Sequence, residues 1–432
     1  MVIKNIRLID PANEVDKICN IYIGAGKIIK IEDVNDLSDQ DSTNQWESVS
    51  QKEIVINGNG LIAAPGFIDV HVHFRDPGQT HKEDIHTGAQ AAIAGGYTSV
   101  VMMANTTPTI DNSHVLIDVL ERAKREKLHI YSCVNATKGM QGKEVVDAEP
   151  LIDIGAVGIT DDGKPILDEN ILRKVCSIAE GLDVPLSLHE EDPNYIKENG
   201  VNSGEAASNL GLTGSDRNAE ISMVNRDIKI AEEIGVKLAI QHISTKEAVD
   251  LVREAKKRGS KIYAEATPHH FSLTDDAVAK HGTLAKMNPP LRKKEDMLAI
   301  RDGLSDGTID MIATDHAPHA KEEKDKLFKE APSGIIGLET ALPLAITNLV
   351  NNKVLDLKRL IELMSVNPAK LYKLPGGSLG EGDIADIVIF NPNEDNIIND
   401  FKSKSKNSPF VGQKLNGKVK YTIVSGEVVF ED

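Results

Sequence analysis

Over the first sixty residues, apolar and polar side chains alternate in short runs. Residues 2–9, 19–23, 26–31 and 53–57 each switch face at almost every step, as half-buried strands do. Asp10-Pro11 and Gly24-Ala25-Gly26 punctuate them as turns. Residues 37–51 are polar and read as a surface loop. The same character returns near the other end, in residues 386–390, 418–424 and 428–430, the last two flanking Ser425-Gly426. The two ends are therefore expected to pair into one small β-sandwich-like module, residues 1–60 and 376–432.

Residues 61–375 follow a different rhythm. Eight apolar or β-branched runs occur at residues 67–74, 98–104, 129–136, 156–162, 185–191, 237–244, 261–271 and 310–319. Stretches with helical periodicity and charge pairing lie between them, among them 83–94, 113–127 and 246–257. Eight strand–helix repeats predict an α/β protein built on a closed (β/α)8 barrel of the TIM type. An open doubly wound sheet is the alternative. The polar residues that end many of the runs favour the barrel.

Composition adds limits. A chain of 432 residues accommodates a barrel of roughly 250 residues with a smaller module. With 40% hydrophobic and 27% charged residues, it can bury a sizeable core. The net charge of −17 argues against a nucleic-acid or anionic-membrane partner. It leaves room for a small anionic substrate, because a few arginines and cations reverse the field within one pocket. Cys19, Cys133 and Cys176 are odd in number and widely spaced, so neither a disulfide framework nor a cysteine metal site is expected. Residues 1–14 lack the apolar run of a signal peptide, and no later stretch is long enough to span a bilayer, which points to the cytoplasm.

The strongest chemical signal is Gly66-Phe67-Ile68-Asp69-Val70-His71-Val72-His73-Phe74-Arg75. Alternate residues of a strand share a face, so His71 and His73 can converge on one ion. The fifth run reaches His189, the sixth His242 and the eighth Asp315. All lie where barrel enzymes build their active sites, at the C-terminal strand ends. Four imidazoles and a carboxylate on one rim are costly to bury unless partnered. Of Asp161 and Asp162 only one can face inward, and either can serve as a turn residue before Gly163. His81, His86, His114, His129 and His281 lie in polar surroundings and read as solvated. His269 and His270 end the seventh run, where either a pocket-facing ring or a structural hydrogen bond is expected. His316 should point away from Asp315.

These motifs resemble the amidohydrolase superfamily and, within it, the class I bacterial dihydroorotases. The resemblance runs nearly end to end. It rests on His71-Val72-His73-Phe74-Arg75-Asp76-Pro77-Gly78, Asn105-Thr106-Thr107-Pro108, Thr160-Asp161-Asp162-Gly163 and His242-Ile243-Ser244-Thr245-Lys246-Glu247. Lys286-Met287-Asn288-Pro289-Pro290-Leu291-Arg292, Thr314-Asp315-His316-Ala317-Pro318-His319, Gly334-Ile335-Ile336-Gly337-Leu338-Glu339 and Asn367-Pro368-Ala369 extend it. It implies one or two zinc ions per subunit, with His71 and His73 on one, His189 and His242 on the other, and Asp162 between them. Asp315 would touch the first ion and shuttle the proton. Arg75, Asn105 and His319 would hold a substrate carboxylate, with Asn288 beside the substrate ring. The implied reaction is the reversible cyclisation of N-carbamoyl-L-aspartate to L-dihydroorotate plus water in pyrimidine (UMP) synthesis, through a metal-bound hydroxide. The resemblance also implies a homodimer and leaves association with aspartate transcarbamoylase open. Cobalt or manganese would suit the same donors.

Ala104 and Glu190 depart from the pattern, standing where proline and cysteine are common in the family. Dihydropyrimidinases, hydantoinases and allantoinases share the histidines but bridge their metals with a carboxylated lysine on the fourth strand. Residues 156–162 contain no lysine, and Lys164 lies beyond them. Non-catalytic relatives that scaffold aspartate transcarbamoylase typically lose metal ligands, and here all six positions are filled. The charged segment 321–330 could close over substrate or simply be solvated.

Overall fold

The structure, a computed structural model, describes residues 1–34 and 54–432, so the expected loop at 37–51 lies outside the described residues. Two sheets organise the chain. The first joins both chain ends. Its strands are β1 (Val2–Asp10), β2 (Val15–Gly24), β3 (Lys27–Asp33), β4 (Val55–Asn57) and β5 (Ile62–Pro65) from the start of the chain. β14 (Ile387–Ile397), β15 (Lys414–Val424) and β16 (Glu427–Glu431) come from its end. They run in the order β16-β15-β14-β5-β1-β2-β3, with β4 on β1. β5 is the seam, antiparallel to β14 and parallel to β1. The edge strand β3 also meets the segment leading into β14, because Lys27 bridges to Ile384 and Ile28 N–H donates to Asp383 O at 3.0 Å. The sheet thereby wraps its own core of Ile3, Ile6, Leu8, Ile21, Ile387 and Ile389.

The second sheet comprises β6 (Phe67–Val72), β7 (Tyr97–Met102), β8 (His129–Asn135), β9 (Gly158–Thr160), β10 (Leu186–Leu188), β11 (Leu238–Ile240), β12 (Ile262–Ala266) and β13 (Met311–Ile312). The strands are parallel and lie in sequence order. The ring joins where Val72 pairs with His316 and His73 N–H donates to His316 O at 2.9 Å. Each of the eight expected runs holds one strand, and the sheet is the expected barrel rather than an open doubly wound layer. No helix among the described residues is long and apolar enough to cross a membrane.

The seventh run differs from expectation. Only its first half is strand. Thr267 caps a short helix, Pro268–Ser272, by accepting from His270 N–H, and Pro268 occupies its first turn. Proline there lacks only a donor that a helix start does not use. His269 and His270 therefore sit on a helix and not on a strand end.

The two sheets share one interface. Phe390 on β14 is fully buried, with its ring centroid 6.3 Å from that of Phe67, which meets Tyr97 edge-on at 5.8 Å. Aromatic rings bury large areas and pack with defined geometry. Replacing Phe390 with Ala should destabilise the protein by about 3–5 kcal/mol. The expected result is a lower urea midpoint, with metal binding unchanged in the fraction that stays folded.

Candidate metal centre

The barrel's C-terminal rim gathers the expected residues within three positions of their strand ends. His71 lies inside β6 and His73 one residue past it. Asp162 lies two past β9, His189 one past β10, His242 two past β11 and Asp315 three past β13. All six are buried. Ligand atoms of His71, Asp162 and His242 lie within 4.8 Å of one another, and so do those of His71, His73 and Asp315. His71 Nε2 is 3.4 Å from Asp162 Oδ1 and 3.6 Å from Asp315 Oδ1. His73 Nε2 is 3.5 Å from Asp162 Oδ2 and 2.9 Å from Asp315 Oδ1. His242 Nε2 stands 3.9 Å from Asp162 Oδ1 and 2.9 Å from His189 Nδ1. His189 thus joins the cluster through His242.

The donor set fits a divalent cation. His71 Nε2 is buried and has no hydrogen-bond partner, yet it points at two carboxylates. A buried polar atom without a partner is costly, and a cation there would satisfy it. Imidazole with carboxylate is the ligand chemistry of zinc and its neighbours.

Other buried groups fix which ring nitrogen faces the centre. His71 Nδ1–H donates to Glu265 Oε2 at 3.0 Å, leaving Nε2 free. His189 Nε2–H donates to Glu191 Oε2 at 3.1 Å, turning Nδ1 toward His242. His73 Nδ1–H donates to Asn105 Oδ1 at 3.0 Å, and Asn105 Nδ2 donates to Asp162 Oδ2 at 2.9 Å. Asn105, expected beside a substrate carboxylate, also braces two of the metal-facing residues. Glu265, Glu191 and Asp69 have no place in the sequence reading. For Glu265 on β12 there was a signal, an acid inside an otherwise apolar parallel-sheet run.

Asp69 replaces a missing piece of ladder. β13 is two residues long, and Asp69 Oδ1 accepts from the N–H groups of His71 at 3.0 Å and Thr314 at 3.2 Å. Burial pushes its carboxyl up to about 7. Asp161 turns away from the centre, as one of the pair must. It accepts from the N–H groups of Ala136 at 2.9 Å and Thr137 at 3.1 Å and from the Thr137 hydroxyl.

Charge is distributed unevenly. Burial works against ionising Asp162, but His71, His73 and His189 together hold its carboxyl well below the usual range. Burial also opposes charge on His71, and Asp162 and Glu265 outweigh it, raising the ring's pKa. His242 goes the other way, lowered by burial and by His189 and His71.

Arg75, His242 and Asp315 have φ of 58°, 31° and 48°. Left-handed backbone at a non-glycine residue costs about 1–3 kcal/mol and persists where surroundings over-determine it, commonly at functional sites. Arg75 therefore reaches its position through this turn and not through strand alternation beyond His73. Its Nε donates to Pro318 O at 3.2 Å, and Nη2 lies 3.4 Å from His319 Nε2. His319 Nε2–H donates to Ser333 O at 2.8 Å, and the Ser333 hydroxyl donates to Asn288 Oδ1 at 3.3 Å. Burial, then Arg75 and Lys324, lower His319 to about 2, so its ring is neutral.

The remaining histidines divide. His270 is tied at both nitrogens, to Thr267 Oγ1 at 2.8 Å and Pro289 O at 3.0 Å. His269 is buried beside it, with Nε2 unpartnered. His316 points away as expected, accepting from Gly337 N–H and facing Glu83. His81, His86 and His114 are exposed, and His281 is half-buried. His129 is not simply solvated: it is half-buried, with Nε2 3.0 Å from Asp386 Oδ2. In the charged segment 321–330, Lys324 is buried and donates to Pro332 O at 2.8 Å and Gly334 O at 3.0 Å. Lys164 is exposed past β9.

The sequence profile of the amidohydrolase family matches residues 62–429. A dihydroorotase from Clostridioides difficile is 50% identical over 430 residues, covering 100% of this chain and 99% of its own. One from Lactococcus lactis is 49% identical over 432 residues, with the same coverage. Among solved structures, an L-hydantoinase (dihydropyrimidinase) from Arthrobacter aurescens matches with a TM-score of 0.87 at 25% identity, over 100% of this chain and 96% of its own.

Replacing Glu265 with Gln keeps a carbonyl oxygen for His71 Nδ1–H but removes the negative charge behind the ring. Metal affinity should fall about 10- to 100-fold, as for other carboxylates behind a metal-bound histidine. Competition against a chromophoric chelator measures this directly.

Proposed function

The chain belongs to the amidohydrolase family and, within it, to the dihydroorotases, and from that membership we propose that it interconverts N-carbamoyl-L-aspartate and L-dihydroorotate in pyrimidine synthesis. One observation carries the choice of reaction. Identity to a dihydroorotase is 50% over the whole chain, against 25% to a hydantoinase of the same fold. The absence of a lysine in β9 supports it, because Asp162 occupies the place between the two histidine pairs.

We assign one or two zinc ions. His71 and His73 would hold the first and His189 and His242 the second, with Asp162 and Asp315 completing the ligand set. Such ions, when bound, lower the pKa of a water and polarise an amide carbonyl.

The chain's own groups do the rest. In the hydrolytic direction, water adds to the ring amide carbonyl and the ring C–N bond breaks. Asp315, at 8% exposure the most open of the six, takes the proton from the attacking water and delivers it to the departing nitrogen. Ring closure reverses these steps. Arg75 offers a planar fork to the substrate carboxylate, and its desolvated setting strengthens that pairing. His319 joins it by exchanging the bond to Ser333 O for one to the carboxylate. Asn105 holds the same carboxylate, and Asn288 lies beside the ring.

Asp315→Asn should keep fold and metal content but lose nearly all turnover, and normal activity would remove the shuttle assignment. The zinc-loaded protein should act on L-dihydroorotate and not on dihydrouracil, which lacks the carboxylate, and chelation should abolish the activity. Efficient turnover of dihydrouracil would move the protein to a neighbouring activity on the same metal site.

A further inference from the structure

Between β14 and β15 the chain leaves the end sheet and crosses the barrel rim. Burial alternates along Phe401, Ser403, Ser405 and Asn407, with Lys402, Lys404 and Lys406 turned outward. The inward side is pinned at several points. Glu339 accepts from the N–H groups of Lys402 at 2.8 Å and Ser403 at 3.1 Å. Glu83, fully buried, accepts from the Ser403 hydroxyl and from Lys404 N–H at 3.1 Å. The Ser405 hydroxyl donates to Lys82 O at 2.7 Å. The strap ends at Asn407, which is 4% exposed.

Asn407 uses its whole side chain. Its Oδ1 accepts from His319 N–H at 3.0 Å, and its Nδ2 donates to Ala317 O at 3.0 Å and Gly334 O at 3.1 Å. Its backbone carbonyl accepts from Ile336 N–H at 3.1 Å. One amide thus joins the loop after β13, which carries His319, to the segment carrying Ser333, whose carbonyl receives the His319 ring. At Gly334 an added Cβ would lie 2.6 Å from Ala317 Cβ, so the two segments touch closely here.

We propose that Asn407 is a positioning residue for the substrate-carboxylate side of the site, holding His319 in register with Arg75. The proposal rests on the reading of His319 given above. Asn407 meets none of the metal-facing side chains in these bonds, so its effect should fall on substrate binding. A purely structural role would instead lower stability or the amount of active enzyme without a selective change in KM.

The test uses the full-length, metal-loaded enzyme with L-dihydroorotate. Asn407→Ala should raise KM about 10- to 100-fold with kcat within about threefold, since a displacement of roughly 1 Å has effects of that order. Metal content should be unchanged. Should the alanine variant fail to fold, Asn407→Asp keeps the volume and the acceptor for His319 N–H but sets an oxygen against two carbonyls. It should raise KM in the same direction. Lys402→Ala, on the outer face of the strap, should leave both constants unchanged. His319→Ala should raise KM by itself, and adding Asn407→Ala to it should change KM by less than about twofold, because the two act through one contact. Additive effects, or an unchanged KM in a folded Asn407 variant, would overturn the inference alone. An unchanged KM in His319→Ala would overturn the carboxylate reading and the inference with it.

Discussion

Asp162 is the point on which the site turns. Its carboxylate is buried at the barrel mouth and is approached by His71 and His73 from the end of β6 and by His242 from the end of β11. An ionised carboxylate out of water is expensive unless compensating charge is close. Imidazoles supply this only in part, because rings packed this tightly oppose one another's protonation: His71 is driven up and His242 down within one cluster. A divalent cation would provide the positive charge that several crowded rings cannot provide together. The geometry of the rim follows from that requirement.

A second set of acids has the opposite task. Glu265 and Glu191 do not face the centre, but each takes the outward N–H of a histidine and so settles which nitrogen is left to face it. Asp69 stands in for ladder bonds where β13 runs short, tying the first strand to the turn that carries Asp315. Barrel closure and ligand placement are therefore one structural event. Arg75, His242 and Asp315 at the same rim adopt left-handed backbone.

The fold is shared with hydantoinases, so it does not by itself select the chemistry. Selection lies in what fills the rim. Asp162 stands two residues past β9, a strand without lysine. The two buried lysines near the mouth, Lys286 and Lys324, are engaged with backbone carbonyls. Arg75 and His319 meet on one side of the rim, the side proposed for an anionic group, in a protein whose net charge is −17. The end sheet contributes as well, since its strap reaches the same side.

Much of this was legible in the sequence, for physical reasons. The change from period-two runs at the ends to strand–helix repeats in the middle announced a barrel with a β module, because those periods are local properties of strands and helices. His71, His73, His189, His242 and Asp315 announced themselves because a polar residue closing an apolar run is conspicuous. Asp162 could not be told from Asp161 by residues alone and was chosen by resemblance. The split of the seventh run was missed, although Thr267-Pro268 is a helix start. Only the tertiary structure could show the rest. Glu265 meets His71 across 194 positions, and Asn407 meets His319 across 88. A residue's type and spacing reveal which face it occupies, but a hydrogen-bond partner so distant in sequence is decided by how the strands close into a ring.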